Sequence, residues 1–432
     1  RTTDMKYLLK NVVITDPQSK WNGKKRDILI GSGRIEVISE QITPPKNCQV
    51  LEMKGSSISP GWVDIGCYGG EPGMEERESL QSLSMAALAG GYTRLACMPN
   101  TQPSVHSRSE VHFLISASQS LGIHLHPIGA VSKNNASLEM AEILQMHEAG
   151  AIAFSDGTAG VHKSGLLRRV LEYIQLIPGA ILIQHSHDDD LSPKSQVHES
   201  KDTAALGLKA DPSVAEFSAV QRDISILEYT GSSMLINKIS AAESLSTIRK
   251  AKKNNPKLFC SVSIFHLAFK DQDLTTFDSS LKLIPPLRSH QDQKSLWQGL
   301  SDGTVDLVVS DHSPVNPELK DLEFQNAAFG AISLQTSYSL FNTSSPGGNL
   351  TSLWVDKVSV MPRKIFGLPA ASVEEGQEAE LTWFHESLQW HYTQNNNQSR
   401  SVNSPLIGKQ LTGAVLGVFN KGRFFDNKSL LL

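Results

Sequence analysis

Four cysteines in 432 residues is a sparse allotment, and they are scattered: Cys48, Cys67, Cys97 and Cys260 form no CxxC pair. That argues against a disulfide framework, and a reducing cytoplasm is the expected compartment. Long apolar runs are missing as well. None reaches the ~18 residues of a membrane span, and no signal-peptide pattern is visible at the start. There is no surplus of positive charge, the formal net charge being −4. A nucleic-acid partner is therefore not expected. No GxGxxG follows an early strand-like run, so the usual dinucleotide fingerprint is absent.

The composition is that of an ordinary globular protein, 39% hydrophobic and 19% charged. The length suits a large barrel with a small extra domain. RTTD, before Met5, is set aside from fold reasoning. The first ~55 residues alternate short apolar runs with turn residues, a strand-rich pattern. From residue 60 the rhythm changes. WVDIGC, TRLACM, IHLHPIGAV, AIAFS, AILIQH, SMLINKI, LFCSVSI and VDLVVSD read as eight strands. Helical stretches such as ESLQSLSMAALAGG and AESLSTIRKAKK lie between them. Eight strand–helix alternations predict an α/β fold of the (β/α)8 TIM-barrel type rather than an open doubly wound sheet. Strand character returns after residue ~370, in AELTWFH, SLQWHY, LTGAVLGVFN and GRFF. The expected organisation is a barrel over 58–368. Residues 1–57 and 369–432 supply the two halves of a β-sandwich-like domain.

Active sites of such barrels form where the strands end. Those ends carry Asn100, Asp156, His185 with His187 to Asp190, Lys238, His266, and Asp311 with His312. His185, Asp156 and Asp311 could meet at the mouth and supply three metal ligands. Each also has a structural reading. Asp156 before Gly157 suits a turn, His187 to Asp190 a solvated acidic loop, and His266 a satisfied core or rim histidine.

The chain resembles the dihydroorotases of the amidohydrolase superfamily, near their allantoinase and hydantoinase branch. The resemblance runs nearly end to end, through SPGWVDIG, EPGMEERES, AALAGGYTRLACMPNTQP, GAIAFSDGT, GLKADPSVAEFSAVQRDI, IPPLRS, DGTVDLVVSDHSP and SPLIGKQLTGAV. It implies zinc, and it implies roles for particular residues. Asn100 would contact substrate. Asp156 and His185 would ligate metal. Asp311 would be both ligand and general acid/base.

Other family positions are altered. The zinc-binding HxH of the first strand is Gly66 and Tyr68, and the carboxylate-gripping arginine is Gly70. The sixth-strand histidine is Lys238, the asparagine of NPPLR is Ile284, and the last substrate-holding histidine is Val315. Zinc activates water and polarises the amide carbonyl, and glycine and tyrosine at those places do neither. The remnant set His185, Asp156 and Asp311 is thus expected to be empty of the full dinuclear centre. Lys238 should replace the metal's charge, with Nζ in salt-bridge reach of Asp311 or Asp156. Tyr68 and Ile284 should fill the vacated space.

Three functions stay open. The preferred one is a non-catalytic or catalytically impaired homologue in pyrimidine biosynthesis with an assembly or regulatory role. Aspartate transcarbamoylase is then a candidate partner, because some family members are its structural subunits; a homodimer is also expected. The second is an active cyclic amidohydrolase with a reduced, zinc-containing site in which Asp311 is catalytic. The third is a ligand-binding protein that keeps the pocket.

Overall fold

A computed structural model describes residues 5–431; RTTD and the final residue lie outside the described residues. The chain starts with five strands, β1 (Lys6–Ile14), β2 (Lys25–Gly31), β3 (Arg34–Ser39), β4 (Cys48–Glu52) and β5 (Ser57–Pro60). Then come β6 (Trp62–Cys67), β7 (Tyr92–Cys97), β8 (His124–Ala130), β9 (Ala153–Ser155) and β10 (Leu182–Gln184). A short pair, β11 (Val197–His198) and β12 (Ala210–Asp211), sits in the long loop after β10. β13 (Met234–Ile236), β14 (Leu258–Ser263) and β15 (Leu307–Val309) follow. β16 (Leu381–Tyr392), β17 (Lys409–Asn420) and β18 (Arg423–Asp426) complete the set.

Each of the eight expected barrel runs contains one strand. They hydrogen-bond in parallel in chain order, β6-β7-β8-β9-β10-β13-β14-β15. The ring closes through Ser310 N donating to Asp64 Oδ1 at 2.7 Å and Tyr68 N donating to His312 O at 2.8 Å. Inward side chains such as Ile65, Ala96, Met98, Ile128, Ile183 and Leu235 form one buried apolar column. The barrel is a packed core, as the fold requires. Helices cover its outside. Leu80–Ala89 starts on a Ser79–Ser82 capping box, which satisfies two otherwise orphaned N–H groups. It ends at Gly90-Gly91. Gly91 (φ +92°) has no room for a side chain, since a Cβ there would come within 2.6 Å of the Trp62 ring.

The two chain ends share one eight-stranded sheet, β18-β17-β16-β5-β1-β2-β3, with β4 also on β1. Its arms enclose a common core that includes Leu9, Ile28, Ile58, Leu381, Trp383 and Leu416. β5 belongs to this sheet and pairs Pro60 with Leu381. The sheet therefore runs three residues past the expected 57/58 boundary, because β5 needs β16 as a neighbour. The runs AELTWFH and SLQWHY are a single strand, β16, with a register shift between His385 and Gln389.

Candidate functional site

At the mouth, the end of β13 faces the end of β15. Lys238 Nζ donates to Asp311 Oδ1 at 2.8 Å and to Ile284 O at 2.7 Å. Asp311 Oδ2 accepts from Ser263 Oγ at 2.9 Å. Both charged side chains are 6% exposed. Both residues adopt left-handed backbone, φ +56° for Lys238 and +57° for Asp311. That conformation is uncommon for a lysine, whereas an aspartate tolerates it more readily. The contact expected of Lys238 is thus present, on Asp311 and not Asp156. Ile284 meets the ammonium through its carbonyl and also lines the adjoining cavity.

Asp156 is buried and spent locally. Its carboxylate accepts from Val131 N, Ser132 N, Ser132 Oγ and Asn135 Nδ2 at 3.0, 3.0, 2.6 and 3.1 Å. Burial raises its pKa against these bonds. The side chain pins the loop after β8 to the end of β9. Asn100 Nδ2 donates to Asp156 O at 3.2 Å, while its Oδ1 is buried without a partner. Tyr68 packs on the barrel column and its hydroxyl accepts from Thr158 N at 3.0 Å. Gly66 faces Met98, whose Cε would lie 2.9 Å from an added Cβ. A Cβ on Gly70 would lie 2.1 Å from Glu78 O and 2.3 Å from Met74 O. No arginine can stand there without moving that loop.

His185 is 6% exposed and its Nδ1 has no partner. Burial and then the Lys238 ammonium push it down to about 3, so the ring is neutral. It stacks on His187 with centroids 6.0 Å apart. His187 is not part of a solvated loop. Its Nδ1 binds Asp189 Oδ1 at 2.7 Å and its Nε2 binds Asp211 Oδ1 at 2.8 Å. Burial opposes its charge, but the two carboxylates outweigh burial and hold it up at about 9. Asp211 is in turn held well below the carboxylate range: burial acts against this, and His187 and Arg288 prevail. Asp189 and Asp190 are exposed. These groups, with Leu283 to Pro286 and Phe329, line a cavity of ≈ 370 Å³ beside His185.

His312 is engaged by the loops on either side of it. Its Nδ1 accepts from Ser333 N at 3.1 Å, which leaves the proton on Nε2 for Glu78 Oε2, also at 3.1 Å. His266 is buried and donates from Nε2 to Pro286 O at 3.1 Å. Among the described residues, no group of three or more His, Cys, Asp or Glu side chains is disposed to hold a metal ion.

Sequence reasoning gave no role to Arg288, Asp211, Glu216 or Ser240, which form the scaffold behind the mouth. Arg288 Nη2 binds Asp211 Oδ2 at 2.8 Å, and its Nε donates to Ser240 Oγ at 3.0 Å. Glu216 accepts from Ala241 N at 2.9 Å and from the Ser240 hydroxyl. The signal was available, since IPPLRS and GLKADPSVAE stand out as motifs and Arg288, Asp211 and Glu216 are among their charged members.

A family model described as dihydro-orotase-like matches residues 55–244. A dihydroorotase of Syntrophus aciditrophicus (strain SB) is 36% identical over 422 residues, 97% of this chain and 99% of its own length. One from Pelotomaculum thermopropionicum is 34% identical over 423 residues, 97% and 98% of the two chains. Among solved structures, an L-hydantoinase (dihydropyrimidinase) from Arthrobacter aurescens superposes with a TM-score of 0.84 at 22% identity, covering 97% of this chain and 95% of that one. The last likeness concerns the fold.

Proposed function

The chain belongs to the dihydroorotase-like family, and from that premise we propose that it is a family member that does not hydrolyse dihydroorotate and serves pyrimidine biosynthesis as an assembly or regulatory subunit. One observation carries the reading: the Lys238 ammonium sits 2.8 Å from Asp311, on the carboxylate that would ligate metal and move protons. A divalent cation bound at Asp311 would lie beside that fixed positive charge in a poorly screened site, where like charges repel strongly. The other ligand places do not compensate. Gly66 and Tyr68 offer no imidazole, and the four hydrogen bonds to the Asp156 carboxylate run to the 131–135 loop. The residues present do not fit the family's dinuclear zinc site. With the arginine place closed at Gly70, a substrate carboxylate also lacks its bidentate partner.

The test is metal analysis of purified protein after zinc loading, run beside a dihydroorotate hydrolysis assay. We expect well under one zinc per chain and no turnover above buffer. Stoichiometric zinc together with turnover lost in Asp311→Ala would overturn the proposal. A second reading, an active cyclic amidohydrolase with an atypical site, is favoured by the names of the relatives and by neutral His185 at the cavity wall. Neutral imidazole is the metal-binding form, and the same two measurements separate the readings.

A further inference from the structure

The loops that follow the eight barrel strands differ in charge from the rest of the molecule. Among their exposed and half-buried residues, fifteen Asp and Glu stand against seven Lys and Arg, whereas the whole chain has an acidic excess of only four. The remainder of the chain is thus net positive, and the mouth face is the acidic pole. Aspartates and glutamates keep a face soluble, so this alone would be a solvated rim.

Apolar exposure is found on the same face. Leu191, Phe277, Leu319 and Leu322 are 47–49% exposed. They stand on three loops, after β10, β14 and β15, and these loops touch. Gln196 Nε2 donates to Gln325 O at 3.3 Å, and Phe277 meets Phe324 edge-on at 6.4 Å. The loop after β15 is also firmly folded. Lys282 Nζ donates to the carbonyls of Phe324, Gln325 and Ala327 at 2.9, 3.1 and 2.7 Å, and Lys320 Nζ to Ala328 O at 2.7 Å. Its two leucines are therefore presented on an ordered support. Single exposed leucines need no explanation, but four large apolar side chains on touching loops that carry an acidic excess are the features of an interaction surface.

We propose that the mouth face is a docking surface for a protein segment that is basic and carries apolar anchors, and that the segment caps the barrel. Charge complementarity selects this occupant: a basic segment is steered onto the acidic pole, and Leu191, Phe277, Leu319 and Leu322 give it apolar contacts. The proposal rests on the non-hydrolytic reading, since a capped mouth admits no substrate.

The probe is a fluorescein-labelled 14-residue helical peptide of leucine and lysine, compared with its glutamate-for-lysine counterpart by anisotropy. The lysine peptide should bind, weaken as salt is raised, and lose at least tenfold in affinity in Leu319→Ser/Leu322→Ser and in Glu318→Lys/Asp321→Lys/Glu323→Lys. Leu176→Ser, at an exposed leucine away from the mouth, should bind it unchanged. Equal binding of the glutamate peptide, or undiminished binding by the mouth variants, overturns the proposal. So does sedimentation showing a dimer that Leu319→Ser/Leu322→Ser dissociates, because the face is then covered by a second copy. The hydrolysis assay is independent of all these readouts, so turnover would sink the non-hydrolytic reading while the peptide data judge the surface.

Discussion

Lys238 and Asp311 are the residues on which the site turns. Each has a left-handed backbone angle, and each is almost fully buried, so neither charge can be left alone. Removing one partner of a buried pair costs about 3–5 kcal/mol, because the other charge stays behind unsolvated. Lys238→Met should therefore destabilise the protein by about that amount in urea unfolding, while Lys238→Met/Asp311→Leu should recover much of the loss. If Lys238→Met is as stable as the parent, the ammonium is not what neutralises Asp311. His187 gives a second residue-scale test. Its folded pKa of about 9 lies above the ordinary value of 6.5. Its contribution is thus fully present below about pH 6.5 and fades as pH rises through about 9, by on the order of 2–3 kcal/mol. Asp211 shares that interaction, which counts once. Urea midpoints at pH 6.5 and 9.5 should differ in the parent, and this part of the difference should vanish in His187→Gln.

At the scale of elements, Arg288 ties three segments together: β12 through Asp211, the loop after β13 through Ser240, and β11 through His198 Nδ1 at 3.1 Å. Its guanidinium is 1% exposed. Arg288→Met should leave Asp211 with His187 as its remaining cation and loosen the mouth scaffold. We expect hydrogen exchange to rise at 187–211 and 238–241 and to stay unchanged in β1 and β2; uniform exchange across the protein would refute this division. The same network marks where the sequence was legible. Strand positions could be read because apolar runs such as LFCSVSI and VDLVVSD alternate with helix patterns at barrel spacing, and burial demands that alternation. Lys238 could be placed because a strand end is a fixed address. The fates of Asp156, His187 and His312 could not be read, because a side chain's direction depends on loops distant in sequence. Asp156 is claimed by 131–135, His187 by Asp211, and His312 by Glu78, which lies 234 residues earlier. Gly70 looked like a lost arginine, but the reason it must be glycine is the path of residues 74–78 beneath it.

The whole molecule is joined by Glu380, which enters β16 beneath the barrel. Its carboxylate takes Arg94 Nε at 2.9 Å and Nη2 at 3.0 Å from β7, Arg363 Nη2 at 2.7 Å, and Thr93 Oγ1 at 2.8 Å. Arg363 Nη2 also donates to Gly61 O at 2.9 Å, between β5 and β6. Trp62, Tyr338, Trp354 and Phe384 pack ring against ring at the same junction, 5.2–5.8 Å apart. Because β5 needs β16, the terminal sheet cannot be completed until the chain after the barrel has been made. Barrel and sheet should accordingly unfold as one unit while Glu380 holds them together. Burial opposes its charge, but Arg363 and Arg94 outweigh burial and hold it down at about 2, below the ordinary 4.5. That depressed value means its stabilisation is complete above about pH 4.5 and is lost as pH falls through about 2. Glu380→Leu leaves two guanidiniums buried without their carboxylate, at a cost of about 3–5 kcal/mol. In calorimetry the parent should show one transition near neutral pH, and Glu380→Leu should show a lower one that broadens or splits as the sheet melts ahead of the barrel. An unshifted single transition would mean that the aromatic junction alone couples the two parts.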